Sequence, residues 1–394
     1  MKRIINDKGV ETLIFADTFE NEAYEQVKKL MNSEAYKNEK IRIMPDAHAG
    51  KGCTVGTTMT ITDKVTPNLV GVDIGCGMLT LKLKNKMVDF KNLDEIINTK
   101  IPSGFNVHKE PMRPFDLSAL RCQKHVDIGR ATISIGTLGG GNHFIEVSKS
   151  ENDGTLYLII HSGSRKLGSD TCTYYQNKAF QNANEIYKMK AKRIDELKKV
   201  GREKYIATEL EANRKRRPDK ELAFLTGNDF HDYMNDMDIV QKYASTNRET
   251  IADIILKESE LQEVERFETI HNYIDFKRMI LRKGAVSAEK GEKLLIPINM
   301  RDGSLLCIGK GNENWNYSAP HGAGRLMSRS KAKQSINIQD FERSMTNVYS
   351  SSVGIATLDE APQAYKSMNE IRNAIADTVN IIDVLKPLYN FKAH

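Results

Sequence analysis

A chain of 394 residues, 40% hydrophobic and 28% charged, has the make-up of a water-soluble folded protein rather than a disordered or fibrous one. The net charge of +6, from 58 Lys+Arg against 52 Asp+Glu, suits a nucleic-acid partner without demonstrating one. The start MKRIINDKGV lacks an apolar signal region, and runs such as LYLIIH are too short to cross a bilayer, so neither secretion nor a membrane is expected. Five scattered cysteines (Cys53, Cys76, Cys122, Cys172, Cys307) fit a reduced, cytoplasmic protein, in which an important cysteine is a ligand or a nucleophile rather than a staple.

Over residues 1–150, apolar runs (IRIMP, VGTTMTITD, LVGVDIGCGMLTLKLK, ATISIGTLGGGNHFIEVSKS) alternate with glycine-rich punctuation. This predicts strands that end in tight loops, interrupted by helices around 19–36 and 90–99. TLYLIIHSGSRKLG predicts another buried strand running into a Gly/Ser turn. From about 175 to 283 the chain turns rich in Lys, Arg and Glu at helical spacing, which predicts a helical insertion broken near Pro218 and Gly227. Its charge reads first as a solvated face and second as an RNA contact. KLLIPINM and SLLCIG return to strand texture, and a helix at about 364–385 closes the chain. The expected fold class is α+β: one domain over 1–394 with a helical insertion at about 175–283.

Four of the nine histidines sit at strand ends or beside glycines: His48 in PDAHAGKG, His143 in GGGNHF, His161 in IIHSGSR and His321 in APHGAGR. Loops after strands are where sites are built, and glycine lets backbone approach a ligand. In GVDIGCGM, Asp73 and Cys76 place a hard oxygen and a soft sulfur in one turn. On its own the octamer reads first as a buried cysteine beside a turn-forming aspartate. With His143, His161 and His271 there are five possible ligands, enough for two adjacent ions sharing one of them. The spacing is not that of a zinc finger, and the metal stays open between manganese and zinc. HSGSRKLG and HGAGRLMSR each place an Arg four residues after a His across a Gly/Ser turn, an anion nest with a guanidinium fork. Neither fits the P-loop pattern, which disfavours an ordinary ATPase. A histidine beside such a nest can be a general base, a metal ligand or a nucleophile that forms a phosphoramidate.

Together GVDIGCGM, GGGNHFIEV, HSGSRKLG and APHGAGRLMSR closely resemble the RtcB family of RNA-splicing ligases, over a span from MPDAHAGKG at 44–52 to Lys392. The resemblance implies mixed β-sheets around a central metal site. It also implies GTP- and manganese-dependent joining of RNA ends, in repair or tRNA splicing: a 2′,3′-cyclic phosphate or 3′-phosphate to a 5′-hydroxyl. It further implies Asp73, Cys76, His143, His161 and His271 as ligands of two Mn2+ ions, and His321 as the histidine that accepts GMP. Asn142, Glu146, Asn272, Ser304, the run His321, Gly322, Ala323, Gly324, and Lys392 match GTP-binding positions. Arg165, Arg325 and Arg329 match arginines that hold RNA phosphates, and Asp46 matches a supporting acid. RNA with broken ends is the implied partner, and an activating protein is admitted. Residues 297–305 depart from the family, reading PINMRDGSL in place of a loop close to PGSMGTASY, and 100–135 looks short. Two other readings compete: a metal-dependent phosphoesterase or nucleotidyltransferase that does not ligate, and a silent RNA-binding relative. The full set of candidate ligands disfavours the second.

Overall fold

The computed structural model describes residues 2–6, 10–17, 20–50, 52–201 and 218–392. Two sheets dominate it. The first has six strands in the order Lys2–Ile5, Glu11–Ile14, Ile41–His48, Val55–Thr60, Ile280–Lys283 and Asn272–Asp275, with one parallel pairing between the second and third. Ile41–His48 is buried at seven successive positions, the mark of a strand covered on both faces. The helix Asn21–Met31 contributes to that cover, presenting Ala23, Val27, Leu30 and Met31 as one apolar stripe.

The second sheet has seven strands in the order Glu263–Ile270, Gly77–Leu83, Leu156–Ser162, Phe144–Ser150, Val379–Lys392, Gly303–Gly309 and Lys293–Asn299. Every pairing in it is antiparallel. Ile251, Ala252 and Ile255 of the helix Gly227–Ser259 pack into its core with Leu93 and Ile97 of the helix Phe90–Lys100. Register then does the gathering. Gly77 lies opposite both Ile270 and Ser162, His161 lies opposite Met78 and Phe144, and Lys392 lies opposite Phe144. Cys76, His143, His161, His271 and Lys392 therefore arrive at one edge of the sheet.

The α+β class holds, but some boundaries move. Helix runs through Arg165–Lys199 and Gly227–Ser259, so the helical stretch begins before 175 and ends before 283. The helical reading of 202–217 lies outside the described residues. Residues 263–283 form three strands, not helix. Glu263–Ile270 is the outermost strand of its sheet, and its free flank meets Lys293–Asn299 through side chains. Glu265 pairs with Lys293, and Thr269 Oγ1 accepts from Leu295 N at 3.1 Å. These polar side chains erase the apolar alternation that marks a strand. ATISI supplies most of a short helix, Ile128–Ser134. The closing helix shrinks to Met368–Ala374, and Val379–Lys392 is a strand of 14 residues. Its β-branched and aromatic residues favour the sheet, and Pro387 sits at a shift in register where the missing N–H is tolerated.

Two polar residues inside the second long helix lock the loops at the site edge. Asn247 Nδ2 donates to Thr137 O, Ser162 Oγ and Gly163 O at 3.0–3.1 Å, while its Oδ1 accepts from Gly136 N at 2.8 Å and Thr137 N at 3.1 Å. Arg248 is fully buried and donates to Gly75 O and Ser162 O, both at 2.7 Å, and to Glu268 Oε1 at 2.8 Å. Arg248→Met keeps most of the stem but leaves two buried carbonyls unpaired. It is expected to destabilise the fold by about 3 kcal/mol in a denaturant titration, and a change under about 1 kcal/mol would show that the clamp is dispensable.

Candidate active site

Asp73 and Cys76 lie in the turn that leads into Gly77–Leu83, closed by a hydrogen bond from Cys76 N to Asp73 O at 3.2 Å. His143 immediately precedes its strand, His161 is the penultimate residue of its own, and His271 follows Ile270. The backbone N–H of His271 donates to Cys76 O at 2.9 Å, tying the third histidine to the cysteine across a large gap in sequence. Cys76 Sγ is 3.4 Å from His143 Nε2 and 3.3 Å from His161 Nε2, and the donor atoms of these three residues all lie within 4.8 Å of one another. Asp73 Oδ2 is 3.0 Å from His143 Nε2, and its Oδ1 accepts from Ser164 N at 3.1 Å. Gly163 permits this approach, because a Cβ there would overlap the Asp73 carboxylate.

The donor set fits a first-row metal. Nδ1 of His143 and of His161 pair with the carbonyls of Leu138 (2.8 Å) and Asn142 (3.2 Å), which turns both Nε2 atoms toward the thiol. Nδ1 of His271 is buried and has no hydrogen-bond partner among the described residues. Burial, with neighbouring imidazoles, holds His161 and His271 well below the usual histidine range, so both offer lone pairs at neutral pH. Burial pushes Asp73 upward, but its contacts with His143, Cys76 and Arg165 outweigh that and hold it ionised. Burial and then the Asp73 charge push the Cys76 thiol well up. A bound cation reverses that shift by favouring the thiolate.

His321 stands beside this cluster, its ring centroid 5.0 Å from that of His271, which is in turn 5.1 Å from His161. Its Nδ1 is 2.6 Å from Oδ2 of the fully buried Asp46, and the same oxygen accepts its backbone N–H at 3.1 Å. An Nδ1–H donating to a carboxylate leaves the lone pair on Nε2. Gly324, at φ +73°, lies against the Asp46 backbone, where a Cβ would clash. The glycine in HGAG thus serves the approach of Asp46, a packing demand separate from any nucleotide.

Two cavities meet at His321. One is lined by Asn142, Glu146, Ser304, Gly322, Ala323, Gly324 and Lys392 among others. The other is lined by Asp73, Cys76, Asn272, Asn68 and Lys283. His48, Asn142, His271 and His321 line both. Asn272 belongs to the second cavity alone, where its side chain joins the Asp73 loop to Gly284 by hydrogen bonds at 3.3 and 2.9 Å. Burial lifts the Glu146 carboxyl to about 7, against the opposing pull of Ser148, Asn390 and Lys392.

The three arginines are not brought together. Arg325 and Arg329 line the first cavity, whereas Arg165 donates to Thr137 Oγ1 at 3.3 Å and to Gly104 O at 3.2 Å, lying against Gly139. Arg325 and Arg329 both reach Glu360, at 3.4 and 2.7 Å, and Lys392 Nζ meets the same carboxylate at 2.8 Å. Burial pushes Glu360 up, but Lys392 and Arg329 pull it down to about 2. Sequence reasoning passed over Glu360, Tyr365, Asn390 and the Asn247–Arg248 pair. Only the last carried a signal: two adjacent large polar residues within a largely apolar helix face. The departing loop at 297–305 resolves simply, since Arg301 and Asp302 pair with each other at 2.8 Å in its turn while Pro297, Asn299 and Ser304 face the cavity.

A sequence profile of the family described as tRNA-splicing ligase RtcB matches residues 26–133 and 117–393. RNA-splicing ligase RtcB1 from Escherichia coli strain ATCC 25922 is 30% identical over 390 residues, 88% of each chain. RNA-splicing ligase RtcB from strain K12 is equally similar. A tRNA-splicing ligase RtcB from Aeropyrum pernix is 26% identical, over 94% of this chain and 92% of its own. With a profile match that runs over nearly the whole length, the chain belongs to the RtcB family of RNA-splicing ligases.

Proposed function

We propose that this protein joins RNA ends bearing a 2′,3′-cyclic phosphate or 3′-phosphate to 5′-hydroxyl ends, at the expense of GTP and through a guanylylated His321. One arrangement carries the reading: His321, with its tautomer set by buried Asp46, lies on the wall shared by two cavities and beside the Cys76–His143–His161 cluster. Asp73, Cys76, His143, His161 and His271 would hold two manganese ions, which when bound polarise phosphoryl oxygens and neutralise developing charge.

The chain's own residues then have distinct tasks. The first cavity takes GTP, with Asn142, Glu146, Ser304, Gly322, Ala323, Gly324 and Lys392 around it, and Asn272 approaches from the second cavity. His321 Nε2 attacks the α-phosphorus, a P–N bond forms, and the bond to pyrophosphate breaks. Asp46 holds the Nδ1 proton and stabilises the charge that grows on the ring. A cyclic RNA end is first opened by water. An oxygen of the RNA 3′-phosphate then displaces the imidazole and takes GMP. The 5′-hydroxyl finally attacks the activated 3′-phosphate, loses its proton, and expels GMP. Arg325 and Arg329 would exchange Glu360 for an RNA phosphate, while Arg165 braces Thr137 and Gly104 beside the site.

Separating the steps tests the role of His321. His321→Ala should bind manganese and form no GMP adduct, yet seal RNA supplied with a pre-activated 3′-guanylylated end; failure on that RNA with metal bound would give His321 another job. Asp46→Asn should slow GMP attachment by about a thousandfold or more, because the amide favours the wrong tautomer. A rate within tenfold of wild type would remove Asp46 from the chemistry. The Glu146 carboxyl, at about 7 in the free chain, is ionised above that pH and protonated below it. Nucleotide affinity should therefore fall as pH drops from about 8 to about 6. The fall should vanish in Glu146→Gln, and a wild-type profile flat across this range would contradict the assignment.

A further inference from the structure

We propose that Asn390 is a specificity-determining residue that accepts a hydrogen bond from the 2-amino group of a guanine base. The inference rests on the nucleotide reading of the first cavity given above. Asn390 lies on the last strand directly opposite Glu146, and both side chains line that cavity. It is 1% exposed, and its Nδ2 donates to Glu146 Oε2 at 2.7 Å. When Glu146 is ionised its carboxylate can only accept, so in that state this contact fixes the amide with its NH2 toward Glu146 and its oxygen away from it. That oxygen, Oδ1, is buried and has no hydrogen-bond partner among the described residues.

Buried polar atoms are nearly always paired, and an orphan in a residue that lines a cavity calls for a donor carried by a ligand. Glu146 and Asn390 Oδ1 make two neighbouring acceptors. The matching ligand edge must present at least two adjacent N–H groups. Guanine does so, with N1–H beside a 2-amino group that carries two hydrogens. Hypoxanthine has N1–H alone, and adenine places a bare nitrogen beside its single amino group. The pair therefore selects a 2-amino-6-oxopurine edge, with Asn390 reading the hydrogen that distinguishes guanine from hypoxanthine. Ser148 Oγ donates to the other oxygen of Glu146 at 2.7 Å, which leaves the carboxylate oriented between Ser148 and Asn390.

GMP and IMP are the probes, since neither carries a pyrophosphate to lose and no transfer runs on them. Equilibrium titration of the full chain with manganese present should give GMP about tenfold or more over IMP, the cost of leaving a buried acceptor unpaired. In Asn390→Ala and the near-isosteric Asn390→Leu, each checked for an unchanged melting curve, the ratio should collapse toward one through loss of GMP affinity, with IMP nearly unchanged. A wild-type chain that does not prefer GMP overturns the proposal without any variant. So does an unaltered ratio in a folded variant, or equal weakening of both ligands, which would make Asn390 a mere support for Glu146. A chain that prefers GMP yet takes no label from GTP keeps this inference and loses the chemistry proposed for His321.

Discussion

In the seven-stranded sheet, Gly77 faces Ile270 on one side and Ser162 on the other, and His161 faces Phe144. Because antiparallel neighbours bring the start of one strand beside the end of the next, four strands deliver Cys76, His143, His161 and His271 to a single edge. A slip of one residue would turn each strand's inward side chains outward and scatter these donors. The apolar core fixes that register, since Leu79, Leu81, Leu158 and Ile160 are buried together under the long helix Gly227–Ser259. The same helix contributes Asn247 and Arg248, which bind the turns that hang from the strand ends. Core packing and site geometry are thus one constraint, felt at two levels.

Charge is arranged with equal economy. Asp46 is buried against His321, and Glu360 is buried among Lys392, Arg325 and Arg329. Glu360 faces cations that compensate its desolvation. Asp46 instead meets only the ring and backbone N–H of His321 through Oδ2, and keeps Oδ1 buried without a partner among the described residues. Each joins segments far apart in the chain. Glu146 has hydroxyl and amide donors instead of a cation at hydrogen-bond distance, and its carboxyl rises to about 7. Three acids in one neighbourhood therefore sit in three electrostatic settings, a division common at sites that bind and transform charged ligands.

The glycine-flanked histidines and the GVDIGCGM turn were legible in the sequence because such loops need residue types that survive any context. His271 was not. HNYIDF resembles a helix end, and the strand before it carries charged side chains, so nothing local marked it as a ligand. It entered as one histidine of a possible set, and the likeness to a family singled it out. The closing strand was misread because its apolar residues fall three and four apart as well as in alternation. Arg165 shows a different limit. Two HxxxR motifs look alike on paper, yet one arginine is spent on the Gly104 and Thr137 loops while the other faces a cavity. Which neighbour claims a guanidinium depends on long-range packing that local sequence does not encode.

The central claim is that His321 becomes the covalent carrier of GMP. Incubation of the full chain with GTP labelled at the α-phosphate and with manganese, followed by mass mapping of the labelled peptide, tests it most directly. The account predicts an acid-labile, base-stable label on the peptide containing His321, as befits a phosphoramidate. Label on a lysine such as Lys392, or a chain that binds manganese and GTP and takes no label, would contradict it.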